Sequence, residues 1–206
     1  FNYEKLSDID DPVVVYDVLD DIQIHEASDT EFDLPEGKRA VDYHRRLLKE
    51  ADLVTTSSRV LYERLVDTRQ EVLLVPNGVA LERFDACNLR SLDRPPELTG
   101  ISAPVIGYHG AVAEWFDVEL MLEVAAARPA FCFVFVGPVT IPDAVKPLEE
   151  MENVRFLGER PPEQVPEYVA SFDVGTVPFK VDHVTRGVRP LKVLEYLALR
   201  KPVVAT

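Results

Sequence analysis

The chain has 206 residues, of which 47% are hydrophobic and 28% charged, and its formal net charge is −14. This composition excludes a disordered polypeptide and suffices for one large core or two small ones. The acidic balance argues against nucleic acid as a partner, since tracking a phosphate backbone wants a basic face. No run of about 18 apolar residues occurs, so no membrane-spanning helix is expected.

The charge is unevenly spread. Residues 1–36 hold twelve Asp or Glu and one Lys, whereas residues 179–206 hold six Lys or Arg against Asp182 and Glu195. The basic island near the end stands out against the acidic remainder. The chain opens on Phe1-Asn2-Tyr3, neither an initiator methionine nor a secretory signal. It stops inside the strand-like run 201–206, so it reads as a segment of a longer protein.

In chain order, short apolar β-branched runs at 13–16, 53–56, 72–75, 104–108, 131–137, 154–158, 174–179 and 203–206 predict strands. Helical patterns fall near 38–50, 59–67, 115–127, 142–151, 162–171 and 190–199. Strands apolar on both faces and separated by helices indicate parallel sheets covered on both sides, an α/β chain. The alternation breaks at 82–104, a polar and Pro-rich stretch that reads as a linker. The division is therefore residues 1–83, a linker over 84–102, and 103–206. Beyond the shared βα alternation there is no internal repeat.

Acidic residues cluster at Asp17, Asp20 and Asp21, and a solvated loop explains them better than a metal site, because no ligand-like spacing accompanies them. His25, His44 and His183 have no ligand-like partners. Cys132 lies in the apolar run 131–137 and reads as a small buried hydrophobe. Cys87 is far from it, so no disulfide framework or zinc site is expected, which fits a reducing compartment.

Asn77-Gly78 marks a tight turn. In 105–117, Gly107 and Gly110 follow a strand, where glycine permits close approach by a ligand or by another backbone. His109 lies in that turn, either as a functional histidine or as a loop histidine bonded to nearby backbone. Trp115 and Phe116 are expected to pack the start of the next helix.

The most informative stretch is 185–206. Pro190 suits the first helical position, and Leu191, Leu194, Leu197 and Ala198 predict the buried stripe of the following helix. Lys192 and Glu195 share another face. Arg186, Arg189 and Lys192 crowd a helix start, where the macrodipole already leaves partial positive charge. Free N–H groups near Leu191 and Lys192, with those cations, suit a phosphate. The competing reading is a solvated Lys192–Glu195 pair with loop cations.

Six stretches in register, 16–21, 51–58, 75–84, 106–117, 156–179 and 185–206, resemble the group-one glycosyltransferases, particularly bacterial members tied to cell-surface or exopolysaccharide synthesis. The resemblance implies a GT-B fold of two Rossmann-like parallel-sheet domains. Residues 1–83 would be the later part of the acceptor-side domain and 103–206 the donor-binding domain, truncated at its C-terminal end. It implies a metal-independent transferase with no cofactor beyond a nucleoside-diphosphate sugar as donor.

The acceptor would be a saccharide or a lipid-linked one. The location would be cytoplasmic, with peripheral association at the inner face of the membrane compatible with that role. By the same resemblance the diphosphate is held by Thr185, Arg186, Arg189, Pro190, Leu191 and Lys192, and Glu195 contacts ribose. Gly158, Glu159 and Arg160 lie beside the nucleobase, and Gly107 to Ala111 approach the donor phosphates. Lys192, Glu195 and His109 are the catalytic candidates.

Three departures accompany the resemblance. Many relatives carry a glutamate eight residues before the one matching Glu195, where this chain has Gly187. Relatives often have Arg and Lys where this chain reads Ala113-Glu114-Trp115-Phe116, and Gly ends their helix where this chain has Arg200. A nucleotide-sugar epimerase of related fold and a non-catalytic nucleotide-sugar-binding module are the alternatives.

Overall fold

The computed structural model describes residues 3–19, 35–68, 71–84, 94–182 and 185–206. Asp20, Asp21, His25, Cys87 and His183 lie outside the described residues. The chain forms two compact units, one of Phe1–Asn77 with Asp182–Arg189, the other of Gly78–Val181 with Pro190–Thr206. Residues 78–84 and 94–102, read from sequence as domain end and linker, belong to the second unit. Phe84 and Leu98 are buried in its core.

The first unit is a parallel three-stranded sheet in the order β1 (Val15–Val18), β2 (Leu53–Thr56), β3 (Val72–Leu74). β1 lies two residues later than the sequence pattern suggests, in register with Leu53–Thr56. Helix α1 (Pro35–Glu50) buries Val41, His44 and Leu47 at helical spacing. His44 is a core residue, its Nδ1 2.7 Å from the Tyr16 hydroxyl, and burial pushes that phenol up to about 12. Helix α2 (Arg59–Val66) starts where the Ser58 side chain accepts from the Leu61 amide, and it buries Leu61 and Leu65.

The second unit is a five-stranded parallel sheet in the order β6-β5-β4-β7-β8, with β4 Val105–His109, β5 Cys132–Val136, β6 Val154–Gly158, β7 Val174–Val177 and β8 Val203–Ala205. All five residues of β5 are buried, as a strand covered on both faces requires, and Cys132 is a free thiol among them. The helices are α3 (Val118–Ala127), α4 (Pro142–Glu149), α5 (Val165–Ala170) and α6 (Leu191–Ala198). Asp117 caps α3 by accepting from the Leu120 amide at 2.9 Å. Phe116 is fully buried, while Trp115 is 40% exposed.

One device recurs in both units. Asp52, at the entrance to β2, accepts from the Val14 amide while its own amide donates to the Val14 carbonyl. Asp173, at the entrance to β7, does the same with Val105. Each aspartate pins the start of the neighbouring parallel strand, a repeat too short to register as sequence periodicity.

The buried face of α6 differs from the expected stripe. Leu191 and Leu197 are 50% and 55% exposed, whereas Tyr196 and Leu199 are buried. The face turned to the sheet runs through Lys192, Tyr196 and Leu199, at i, i+4 and i+7, about 100° from the leucine stripe. Leu191 and Leu197, expected in the buried stripe, thus face outward, because apolarity alone does not set the direction of a helix that seats a tyrosine and a lysine against the sheet.

Candidate active site at the carboxyl ends of β4 and β7

The second sheet begins at its middle. From β4 the chain builds outward through β5 to β6, then returns to β7 on the other side of β4. This reversal makes the carboxyl ends of β4 and β7 the switch point, the place where open α/β sheets leave a crevice for ligands. His109 is the last residue of β4, and α6 enters after β7.

The floor of the crevice is built from glycine. Gly110, Gly137 and Gly158 have φ of +117°, +147° and +71°, each at or just past the end of its strand. The Gly110 amide donates to the Val136 carbonyl at 2.8 Å, and the Gly137 amide to the Gly158 carbonyl at 2.9 Å. Gly107 is different. It lies inside β4, and a Cβ there would stand 2.1 Å from the Phe172 ring, so its smallness makes room for the core. In the same way Gly175 admits Tyr196, whose ring would meet a Cβ at 2.5 Å.

Against this floor stand side chains from α6. Glu195 Oε2 is 2.9 Å from His109 Nε2. The two atoms are close but do not meet hydrogen-bond geometry, and among the described residues the buried Nε2 keeps no hydrogen-bond partner. Tyr196 fixes His109 from behind. Its hydroxyl accepts from the His109 amide at 3.2 Å and donates to the Thr176 carbonyl at 3.4 Å, and its ring meets the imidazole edge to face. Burial raises the Tyr196 phenol far above its ordinary range, so it remains a neutral donor.

Lys192 points its amine between two rings, 5.1 Å from the Tyr108 centroid and 4.8 Å from the Phe179 centroid. Its Nζ would lie 3.4 Å from a Cβ on Gly110. Among the described residues the amine has no hydrogen-bond acceptor and no salt bridge. Burial lowers its pKa from 10.5 to about 8, with the charge of Glu195 opposing part of that shift. Pro190 precedes α6 without a side-chain cap, so the first amides of the helix are unclaimed by a capping side chain.

The other sequence candidates are placed as follows. Thr185, Arg186 and Arg189 belong to the first unit. Thr185 and Asp182 close a turn, each donating its amide to the other's side chain. Arg186 and Arg189 are exposed, and among the described residues neither is in an ion pair. The Arg189 carbonyl accepts from Asn77 at 3.1 Å.

Arg160 is engaged structurally. It pairs with Glu97 at 2.8 Å, donates to the Tyr168 hydroxyl at 2.9 Å, and leaves Glu159 exposed beside it. Among the described residues no group of three or more His, Cys, Asp or Glu is placed to hold a metal, and no helix is long and apolar enough to cross a membrane. Tyr108, Phe179 and Tyr196 escaped the sequence reading. The faint signal for Tyr196 was its position four residues after Lys192, which puts both on one helical face.

Comparison with known families decides the assignment. The family model for glycosyl transferases group 1 matches residues 103–206, half of the chain. The chain belongs to that family. TuaH of Bacillus subtilis (strain 168), named as a teichuronic acid biosynthesis glycosyltransferase, is 35% identical over 167 residues, covering 78% of this chain and 42% of TuaH.

Two solved glycosyltransferases share the fold. Anabaena HepE, in complex with UDP and glucose, matches with a TM-score of 0.68 at 20% identity, over 93% of this chain and 52% of that one. WaaG, involved in lipopolysaccharide biosynthesis, matches with a TM-score of 0.73 at 14% identity, over 99% and 61%. The α/β, parallel-sheet fold is thus of the GT-B type, and the chain spans about half the length of these relatives.

Proposed function

We propose that the protein containing this chain transfers a sugar from a nucleoside-diphosphate donor to a saccharide or lipid-linked acceptor in cell-surface polysaccharide synthesis. The observation that carries the reading is the group at the switch point: the uncapped start of α6, the Lys192 amine between two rings with no hydrogen-bond acceptor among the described residues, and the His109–Glu195 contact around a floor of backbone. Membership of the group 1 family and the likeness to TuaH support it.

As the bond between sugar and diphosphate breaks, negative charge grows on the departing oxygens. The α6 amides and the Lys192 amine would stabilise that charge in place, without reorganising. Glu195 is set beside the His109 ring to accept from sugar hydroxyls. His109 presents an underused ring nitrogen to the same space, where it would hydrogen-bond donor or acceptor. Such a donor is used in the cytoplasm, at the inner membrane face when the acceptor is lipid-linked, and no cofactor beyond the donor is invoked.

Titrating UDP, GDP and ADP separately into the folded protein tests this. Binding of at least one, weakened tenfold or more in Lys192→Met, is the expected result. Absence of binding by all three would remove the basis for the proposal.

A further inference from the structure

The Lys192 amine occupies an unusual seat for a group meant to meet an anion. It is wedged between the faces of Tyr108 and Phe179 and pressed towards Gly110, with no acceptor oxygen in hydrogen-bond reach among the described residues. The groups facing it are few. From β4 come the Tyr108 ring and, beyond it, His109; from the stretch after β7 comes Phe179; from α6 itself come Glu195 and Tyr196. Both tyrosines are neutral, pushed well above their ordinary range by burial. Glu195, the one carboxylate of the set, is in contact with the His109 ring instead.

We propose that this site takes up a proton as it takes up a nucleoside diphosphate, the proton going to the Lys192 amine. The inference rests on the donor-site reading given above and deepens it. A half-buried ammonium set between two aromatic faces, with Glu195 only partly offsetting its desolvation, gains little from keeping its charge, so part of the protein population carries a neutral amine at mildly alkaline pH. A diphosphate at the start of α6 supplies the missing anion and restores the preference for the charged form. The balance is a free amine, a proton from solvent and the nucleotide anion going to an ammonium–nucleotide pair. By linkage, affinity must then fall as pH rises above the amine's own titration, by up to about tenfold per pH unit. The depressed titration of Lys192, to about 8, sets where this begins.

The test is isothermal titration of whichever of UDP, GDP or ADP binds, at pH 6.5 and pH 9, in pairs of buffers that differ in ionisation enthalpy. The Lys192→Arg variant separates Lys192 from every other group that could take the proton. The expected result is uptake of most of one proton at pH 9 and little from this group at pH 6.5. Lys192→Arg, whose guanidinium stays charged throughout, should bind without uptake.

Nucleotide binding by the wild type with no proton uptake at pH 9 overturns this inference and leaves the donor-site reading standing. Undiminished uptake in Lys192→Arg also overturns it, by assigning the proton elsewhere. No binding of any of the three nucleotides overturns the donor-site reading, and this inference with it.

Discussion

Gly137 rests against the carbonyl of Gly110 so closely that a Cβ on Gly137 would lie 2.2 Å from the Gly110 oxygen. Both residues have positive φ, and they join the ends of β5 and β4 beneath the Lys192 amine. The obstacle to a side chain here is backbone, which cannot rotate aside. Gly137→Ala combines this collision with an unfavourable φ of +147°, and it should cost about 3 kcal/mol or more. Urea denaturation measures it. A loss smaller than that of an ordinary exposed substitution would mean the two strand ends are not locked together.

Arg200 carries a different strain. It adopts φ +56° just past α6, where its amide donates to the Leu197 carbonyl at 2.9 Å. This left-handed position after a helix is one glycine fills without penalty. Arg200→Gly should therefore stabilise the protein by roughly 0.5–1 kcal/mol, visible as a higher thermal midpoint. A lower midpoint would show that the arginine side chain contributes more than its backbone costs.

Tyr196 holds the His109 backbone through its hydroxyl. Tyr196→Phe keeps the ring in the space left by Gly175 but leaves a buried amide without its acceptor, at a cost of about 1–2 kcal/mol. Crystallography of the variant should show the imidazole displaced from Glu195. An unmoved His109 and an unchanged stability would reduce Tyr196 to simple packing.

The Lys192 amine also predicts how stability depends on pH. In the unfolded chain it holds its proton up to 10.5, whereas in the folded protein it releases it near 8. Between those values the unfolded state binds more protons, so stability rises with pH; below about 8 the full penalty of a buried charge is present. Buried Tyr16, Tyr108 and Tyr196 act in the opposite direction above pH 10, because their phenols are raised in the fold. Between about pH 8 and 9.5 the Cys132 thiol, raised by burial, also opposes the rise, and equally in both proteins. There, the unfolding free energy of the wild type should climb relative to that of Lys192→Met.

The central strands of the second sheet were legible because they are covered on both faces, and all five residues of β5 are buried, which writes an uninterrupted apolar run such as 131–137 into the sequence. Phe-Cys-Phe-Val-Phe-Val can be little else. Part of the candidate site's geometry was legible. Lys192, Glu195 and His109 do converge within the second unit, and Gly110 does open the turn beside them.

What failed was the direction of α6. Leu191 and Leu197 face outward and Tyr196 inward, since a hydroxyl with two backbone partners is satisfied in the core and hydrophobicity does not reveal such partners. Gly107 was placed with the ligand-approach glycines, although its role depends on Phe172, 65 residues away in sequence. Arg160, which the resemblance places beside the nucleobase, is paired with Glu97 and Tyr168, partners that local spacing did not foretell. Each of these depends on a long-range neighbour that local spacing does not carry.

The most direct measurement is a crystal structure with the tightest-binding nucleoside diphosphate. The phosphates should lie at the start of α6, in hydrogen-bond reach of the Lys192 amine and above the Gly110 turn. Phosphates bound away from α6, with Lys192 still enclosed by Tyr108 and Phe179 alone, would contradict the assignment of this crevice as the donor site.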